Sequence, residues 1–235
     1  MTYLKESPES IEEMFSNIAQ NYDRANAALS LNLSPLWNNK LISELLKRQR
    51  VSTLLDLCAG TGAIAHTFLK KNPSASALLV DLSAPMLAQA KEKLIPFKAD
   101  FIVGDACTTQ LKNQVADAIT VAYGVRNIAN TSKFFDECFR LLKAEGTLAI
   151  LELTRPENPV LRFFHQHYLE KLVPLIGRRI AGNGPAYQYL CDSIKDFSSP
   201  KKLSLQLNSA GFGKVEILPL FGGVATILLA QRKKH

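Results

Sequence analysis

Apolar and polar positions change rhythm along the chain. From about residue 52 to 153, short apolar runs near 52–57, 76–81, 100–103, 116–122 and 146–152 alternate with amphipathic stretches near 63–71, 84–94 and 131–142. Near-continuous apolar runs suit strands buried on both faces. Their alternation with helices predicts repeated βαβ units, hence a parallel sheet with right-handed crossovers. Upstream, Ile11, Met14, Phe15 and Ile18 form a helical stripe over 9–21, and 36–49 predicts another helix. A polar stretch, Asn21–Asn26, separates them. Downstream, 158–176 is long, apolar and basic. Residues 200–210 predict a helix closed by Gly211. Two further runs, near 214–219 and 224–231, meet at Gly222 and Gly223 and predict a hairpin, which adds an antiparallel strand to the sheet.

Composition narrows the class. The chain has 235 residues, 47% of them hydrophobic, enough for one large domain with a cap. No apolar run approaches the roughly 18 residues that suggest a membrane span. The N-terminus carries Lys5, Glu6, Glu9, Glu12 and Glu13 and no apolar signal region, so the expected location is cytoplasmic. Cys58, Cys107, Cys138 and Cys191 are scattered without a C-x-x-C, which favours free thiols over disulfides or zinc. The net charge of +7 resides in residues 155–235, with twelve basic and five acidic residues; the rest of the chain is balanced. A basic C-terminal third suits an anionic membrane surface or, equally, an ordinary solvated surface with a few surplus lysines, three basic residues clustering at Arg232-Lys233-Lys234. Nucleic acid is the weaker alternative, because no basic stripe with stacked aromatics accompanies the charge.

The candidate chemistry lies at strand ends. The run Leu54-Leu55-Asp56-Leu57-Cys58-Ala59-Gly60-Thr61-Gly62 reads as a buried strand breaking into a glycine turn, and a helical pattern opens at Ala63. In a doubly wound sheet such a turn lies where ligands bind. Asp81 ends the next strand, and Asp105, followed by Ala106, ends the third. Two cofactors compete for this turn. Gly60-Thr61-Gly62-Ala63-Ile64-Ala65 satisfies G-x-G-x-x-G/A, with Asp81 about 20 residues on, as an NAD fingerprint requires. Against NAD, the Asp56 carboxylate would repel a pyrophosphate, whereas it suits the ammonium of a methionine moiety. Asp81 can accept two ribose hydroxyls, and Asp105 can accept from an adenine amino group. The pattern therefore favours S-adenosyl-L-methionine (SAM). A parallel sheet closed by a late antiparallel strand resembles the seven-stranded class I SAM-dependent methyltransferases, an α/β fold with helices on both faces.

The resemblance extends to a family. Met14–Asn26 with Leu29, Ser30 and Trp37, then Asp56–Gly62, Asp81–Leu87, Tyr123-Gly124-Val125-Arg126-Asn127, Tyr187–Leu190, Ser193–Phe197 and Ala210–Phe212 resemble the signatures of the quinone C-methyltransferases of ubiquinone and menaquinone biosynthesis. They span some nine tenths of the chain. Departures are Ala63 where the family usually has an acid, Ala122 where it often has serine, and Ala144-Glu145-Gly146 for the usual Pro-Gly-Gly.

That resemblance implies methylation of a polyprenylated quinol, demethylmenaquinol in the first instance, with the methoxy-benzoquinol of ubiquinone synthesis as the alternative. It implies cofactor contacts from Asp56, Gly60, Thr61, Gly62, Asp81, Leu82, Asp105, Ala106 and Ala122, and no metal. A quinol carbon is nucleophilic once a neighbouring hydroxyl loses its proton, so a cation beside that oxygen is required. Arg126 is expected to fill this role, with Asn127 orienting it; the competing reading pairs Arg126 with an acid such as Asp136 at the surface. Tyr22 is expected to close over the sulfonium, and Asp23 is a second candidate base. Residues 1–50 would form a helical lid on a methyltransferase domain spanning 51–235, with 155–200 a helical insertion on the substrate side. There Phe163, Phe164, Leu169 and Val173 are expected to take up the prenyl tail, and Arg162, Lys171, Arg178 and Arg179 to meet lipid headgroups. His165 and His167 read as structural or surface residues, and Cys58 as a small apolar filler. The family also makes a homodimer plausible.

Overall fold

The computed structural model describes residues 7–175 and 184–233. Arg178 and Arg179 lie outside the described residues. Three helices open the chain: α1 (Pro8–Ile18), α2 (Tyr22–Leu29) and α3 (Ser34–Arg48). The alternating part follows as β1 (Thr53–Leu57), α4 (Ala63–Lys71), β2 (Ser76–Asp81), α5 (Ala84–Leu94), β3 (Ala99–Val103), β4 (Ala116–Ala122), α6 (Thr131–Leu141) and β5 (Leu142–Leu153). Then come α7 (Pro159–His167), α8 (Gly184–Asp196), α9 (Pro200–Ser209), β6 (Phe212–Leu220) and β7 (Ala225–Arg232).

Local chemistry explains the boundaries. Side chains of Ser7, Ser83, Asn130, Asn158 and Ser199 accept backbone N–H groups at the first turns of α1, α5, α6, α7 and α9. Such caps satisfy donors that a helix start leaves orphaned, each worth about 1 kcal/mol. α6 shows how a helix attaches to the sheet: Phe134, Phe135, Cys138 and Leu141 share one face and are fully buried.

The strands run in the order β3-β2-β1-β4-β5-β7-β6. All neighbours pair in parallel except β7, which is antiparallel to β5 and to β6. The expected mostly parallel sheet with one antiparallel strand is thus the one observed. The chain builds outward from β1 to β3 and then returns to place β4 on the other side of β1, with Leu55 opposite Ile119. This reversal opens a cleft between the carboxyl ends of β1 and β4. One core layer joins α3, α4 and α5 to one face through Leu41, Leu45, Phe68 and Leu87. The other joins α6 and α9 to the opposite face through Phe134, Leu203 and Leu207. A third cluster, with Met14, Ile18, Leu169, Val173, Tyr187 and Cys191, holds the N-terminal helices to the segment after β5.

Three elements differ from the sequence expectation. The polar stretch Asn21–Asn26 lies largely within α2, where helix-forming alanines surround the buried Ala25. β5 starts earlier than its apolar run because Lys143, Ala144 and Glu145 are exposed, and its register against β4 shifts between Ala116 and Ala118. The stretch 158–175 is not one regular helix, since α7 passes into a wider π-type turn at Tyr168–Leu172. Such turns often accompany functional sites.

Candidate active site

The glycine turn after β1 has the conformation its residues suggested. Gly60 (φ +53°) and Gly62 (φ +72°) are left-handed, and the space beside Gly60 is open, so nothing from the protein fills the place a side chain would take. Gly62 packs on Ala90, Leu79 and Leu94 and caps α4; its role is to bring helix and sheet together. Cys58 (φ +53°) and Tyr123 (φ +58°) also sit in the left-handed region, at the two strand ends that flank the cleft. Each costs about 1–3 kcal/mol, and such strain gathers at functional sites. A Cβ on Gly124 would stand 2.6 Å from Cys58 Cβ and 3.1 Å from its Sγ. Gly124→Ala is therefore expected to cost about 1–3 kcal/mol of stability through this overlap. Cys58→Gly on the same chain should restore most of it, as thermal melts would register.

Two cavities meet over this turn and share walls from Tyr22, Cys58, Gly60, Ala122 and Tyr123. The smaller, about 100 Å³, lies over the ends of β2 and β3; Asp81, Leu82, Asp105, Ala106 and Asn127 line it, and α1 covers it with Ile11, Glu12 and Phe15. The larger, about 520 Å³, is walled by Asp23, Asp56, Thr61, Arg126, Leu169 and Val173, among others. Of the catalytic and cofactor-binding residues expected from sequence, all but Gly62 line one cavity or the other.

The acids are held in distinct ways. Asp81 Oδ2 accepts from Gly60 N at 2.8 Å and Oδ1 from Ser83 N at 2.9 Å, which fixes the carboxylate and shapes the turn together. Burial nevertheless raises its pKa. Asp105 Oδ1 accepts from Cys107 N at 2.8 Å. Asp56, only 1% exposed, accepts from Thr120 Oγ1 at 2.7 Å and from Ala65 N at 3.3 Å. Desolvation pushes its pKa up to about 7. Thr61 Oγ1 donates to Asp23 Oδ1 at 2.7 Å, and Lys93 Nζ meets Asp23 Oδ2 at 2.7 Å. Thr61 and Asp23 thus tie α2 to the glycine turn. Tyr22 is buried enough that its phenol stays protonated, with a pKa above the usual range. Burial also drives the Cys58 thiol far above its ordinary value, which makes it an inert wall.

Arg126 is buried, with its side chain 5% exposed, and it pairs with Glu152 rather than with Asp136. Glu152 is fully buried and accepts from Arg126 Nη1, from Arg126 N at 3.2 Å and from Leu153 N at 2.9 Å. Nη1 also donates to the Tyr123 carbonyl at 2.6 Å, whereas Nε is buried without a partner. Burial by itself would lower the guanidinium pKa; Glu152 offsets this and holds the pKa above its usual value. Asn127 meets Arg126 only through that shared Tyr123 carbonyl, which it reaches at 3.4 Å, so the direct orienting contact comes from Glu152. Sequence reasoning missed Glu152. Its signal was a lone acid inside an apolar strand, and Thr120 gives the same signal in β4.

Other placements depart from expectation. Leu169 and Val173 line the larger cavity, whereas Phe163 and Phe164 do not and are exposed. His165 lines the cavity, with burial lowering its pKa, and His167 stacks on Phe163 with ring centres 5.3 Å apart. Among the described residues no group of three His, Cys, Asp or Glu is placed to hold a metal ion.

The donor set discriminates between nucleoside cofactors. At the first turn of α4, where a dinucleotide pyrophosphate would accept backbone N–H groups, Asp56 already accepts from Ala65 N. Carboxylates at three strand ends, an open glycine and the apolar walls of Leu82, Met86 and Ile128 instead fit a cationic sulfonium nucleoside. The fold agrees: a SAM-dependent methyltransferase from Thermotoga maritima, described as a possible histamine N-methyltransferase, superposes with a TM-score of 0.65 at 16% identity, covering 94% of this chain and 99% of that one. A Haemonchus contortus phosphoethanolamine N-methyltransferase 2, solved with S-adenosylhomocysteine, gives 0.60 at 15% identity over 82% of this chain and 52% of its own. The protein is a SAM-dependent methyltransferase of the class I type. Residues 1–232 match the ubiE/COQ5 methyltransferase family, and the chain belongs to that family. Similar relatives include the demethylmenaquinone methyltransferases of Protochlamydia amoebophila, 43% identical over 97% of this chain and 96% of theirs, and of Chlamydia muridarum, 38% identical over 99% and 100%.

Proposed function

We propose that the enzyme methylates a ring carbon of demethylmenaquinol to give menaquinol. The observation that carries this is the larger cavity: it adjoins the smaller one, is predominantly apolar, and among the described residues has a single guanidinium, Arg126, in its wall. The names of the relatives support the naphthoquinol over a benzoquinol. SAM, when bound, supplies a methyl already activated on sulfonium. Asp81 and Asp105 would hold its ribose and adenine, Asp56 its ammonium, and Gly60, Thr61, Gly62, Leu82, Ala106 and Ala122 would shape its bed. Arg126 stabilises the quinol oxyanion, with its unpartnered Nε–H as the free donor. Tyr22 lies where both cavities meet and forms the aromatic wall there. Asp23 serves as a latch rather than a base, because both of its oxygens are engaged by Thr61 and Lys93. Helices α1 and α2 act as the lid that excludes water. The described parts of the segment 155–200 bound the quinone side through Leu169, Val173, Leu190 and Ile194. Residence on the cytoplasmic side, in peripheral contact with an anionic membrane, belongs to the same reading; no helix among the described residues is long and apolar enough to cross a membrane.

The role of Asp56 has a pH signature. A cation is attracted to the carboxylate and not to the carboxylic acid, and Asp56 titrates at about 7. Cofactor affinity should fall as pH drops through that value and be about tenfold weaker at pH 6 than at pH 8. Asp56→Asn should bind weakly at both, with the dependence removed. Calorimetric titration with S-adenosylhomocysteine, which keeps the ammonium, reads both. The substrate assignment is tested by offering reduced demethylnaphthoquinols and methoxy-benzoquinols in parallel. Preferential turnover of the naphthoquinol supports it, and preference for the benzoquinol removes it.

A further inference from the structure

Large apolar side chains left exposed are not scattered over this molecule. Of twelve among the described residues, nine fall on three segments far apart in sequence: Leu31 and Leu36 around the start of α3, six positions between Val160 and Leu175, and Phe221 in the β6–β7 turn. These segments meet. A Cβ on Gly222 would stand 2.6 Å from Leu161 Cδ1, so the turn lies on α7. Phe221 packs edge-on against Trp37 of α3, ring centres 6.2 Å apart. Tyr168 Oη donates to the Leu29 carbonyl at 2.6 Å. The same three regions wall the larger cavity through Pro35, Trp37, His165, Tyr168 and Val224. The exposed apolar groups therefore form a rim beside the cavity, and a clustered patch of this kind marks an interaction surface.

We propose that this rim is the docking face for an anionic lipid bilayer, from which the substrate tail passes into the cavity without crossing water. This rests on reading the substrate as a quinol with a hydrocarbon tail. Charge selects the bilayer over a second copy of the chain. Arg155, Arg162 and Lys171 share the segment with Glu157 and Glu170, and those two acids already pair with Lys201 and Lys195. The face is net basic. A twofold dimer through it would set these cations against their own copies and close the cavity. An anionic headgroup layer neutralises them while the apolar side chains enter the acyl boundary.

The test uses the full chain and flotation with vesicles of phosphatidylcholine alone or with phosphatidylglycerol. Binding is expected to the anionic vesicles and to weaken several-fold between low and physiological salt. Phe163→Asp with Phe164→Asp should lower partitioning on the order of tenfold or more, because two half-exposed rings lose their lipid contact. Leu205→Glu, at an exposed apolar position elsewhere, should leave it unchanged. Both variants should turn over a quinol without a tail as the parent does, which also shows that they fold. Unchanged vesicle binding by the Phe163/Phe164 variant would overturn the proposal. So would a parent dimer that this variant makes monomeric, since the face would then belong to a second copy. If the parent binds vesicles but methylates no quinol, the substrate reading fails and the docking face stands.

Discussion

Arg126→Gln is expected to lower turnover about 10²–10³-fold, the usual loss when an oxyanion donor is removed, while affinity for S-adenosylhomocysteine changes only a few-fold. The structure shows why this substitution alone is ambiguous. Glu152 is fully buried and Arg126 is its only charged partner among the described residues, so either single change leaves an uncompensated polar or charged group inside. Breaking such a pair costs about 3–5 kcal/mol. The double variant Arg126→Gln/Glu152→Gln removes both charges. It should regain much of the stability lost by Arg126→Gln, as read by denaturant unfolding. Turnover should stay at the single-variant level, because the cation remains absent. If turnover returned with stability, the pair would be purely structural and the oxyanion role would be lost.

Asp81→Ala is expected to weaken cofactor binding by at least about 10²-fold. Two contributions add. The proposed contact with the cofactor ribose would be lost, and the carboxylate would no longer hold Gly60 N and Ser83 N, so the turn that forms the floor of both cavities loses its brace. A hydrogen bond to a charged group contributes about 1.5–3 kcal/mol, so the loss of one or two gives this range. Asp81→Asn should fall between the parent and Asp81→Ala: its carbonyl can keep one backbone donor, while its amide opposes the other. Calorimetry checks the order. Parent-like affinity in Asp81→Ala would place the nucleoside elsewhere.

The sheet was legible because its strands are buried on both faces, and continuous apolar runs between helical stripes have few other solutions. The hairpin was legible from Gly222 and Gly223. The glycine turn and the three acids could be located because strand ends and turns leave local marks. Glu152 could not be matched to Arg126 in advance, since the pairing joins β5 to the end of β4 and depends on sheet order. Phe163 and Phe164 were misplaced for a related reason. Periodicity identifies an apolar face but does not say whether that face meets the core, a ligand or the surface. The start of β5 was hidden because Lys143, Ala144 and Glu145, which follow the buried Leu142, are exposed and carry no apolar signal.

The proposed reaction holds a reduced naphthoquinol ring against Arg126 and methylates it at carbon. It is tested most directly by incubating the protein with SAM and a tail-less demethylnaphthoquinol kept reduced, then locating the new methyl by mass spectrometry and NMR. The expected result is one methyl on the ring carbon next to a hydroxyl, one S-adenosylhomocysteine per product, and no turnover of the oxidised quinone. Methyl transfer to oxygen, or equal turnover of the oxidised ring, would contradict it.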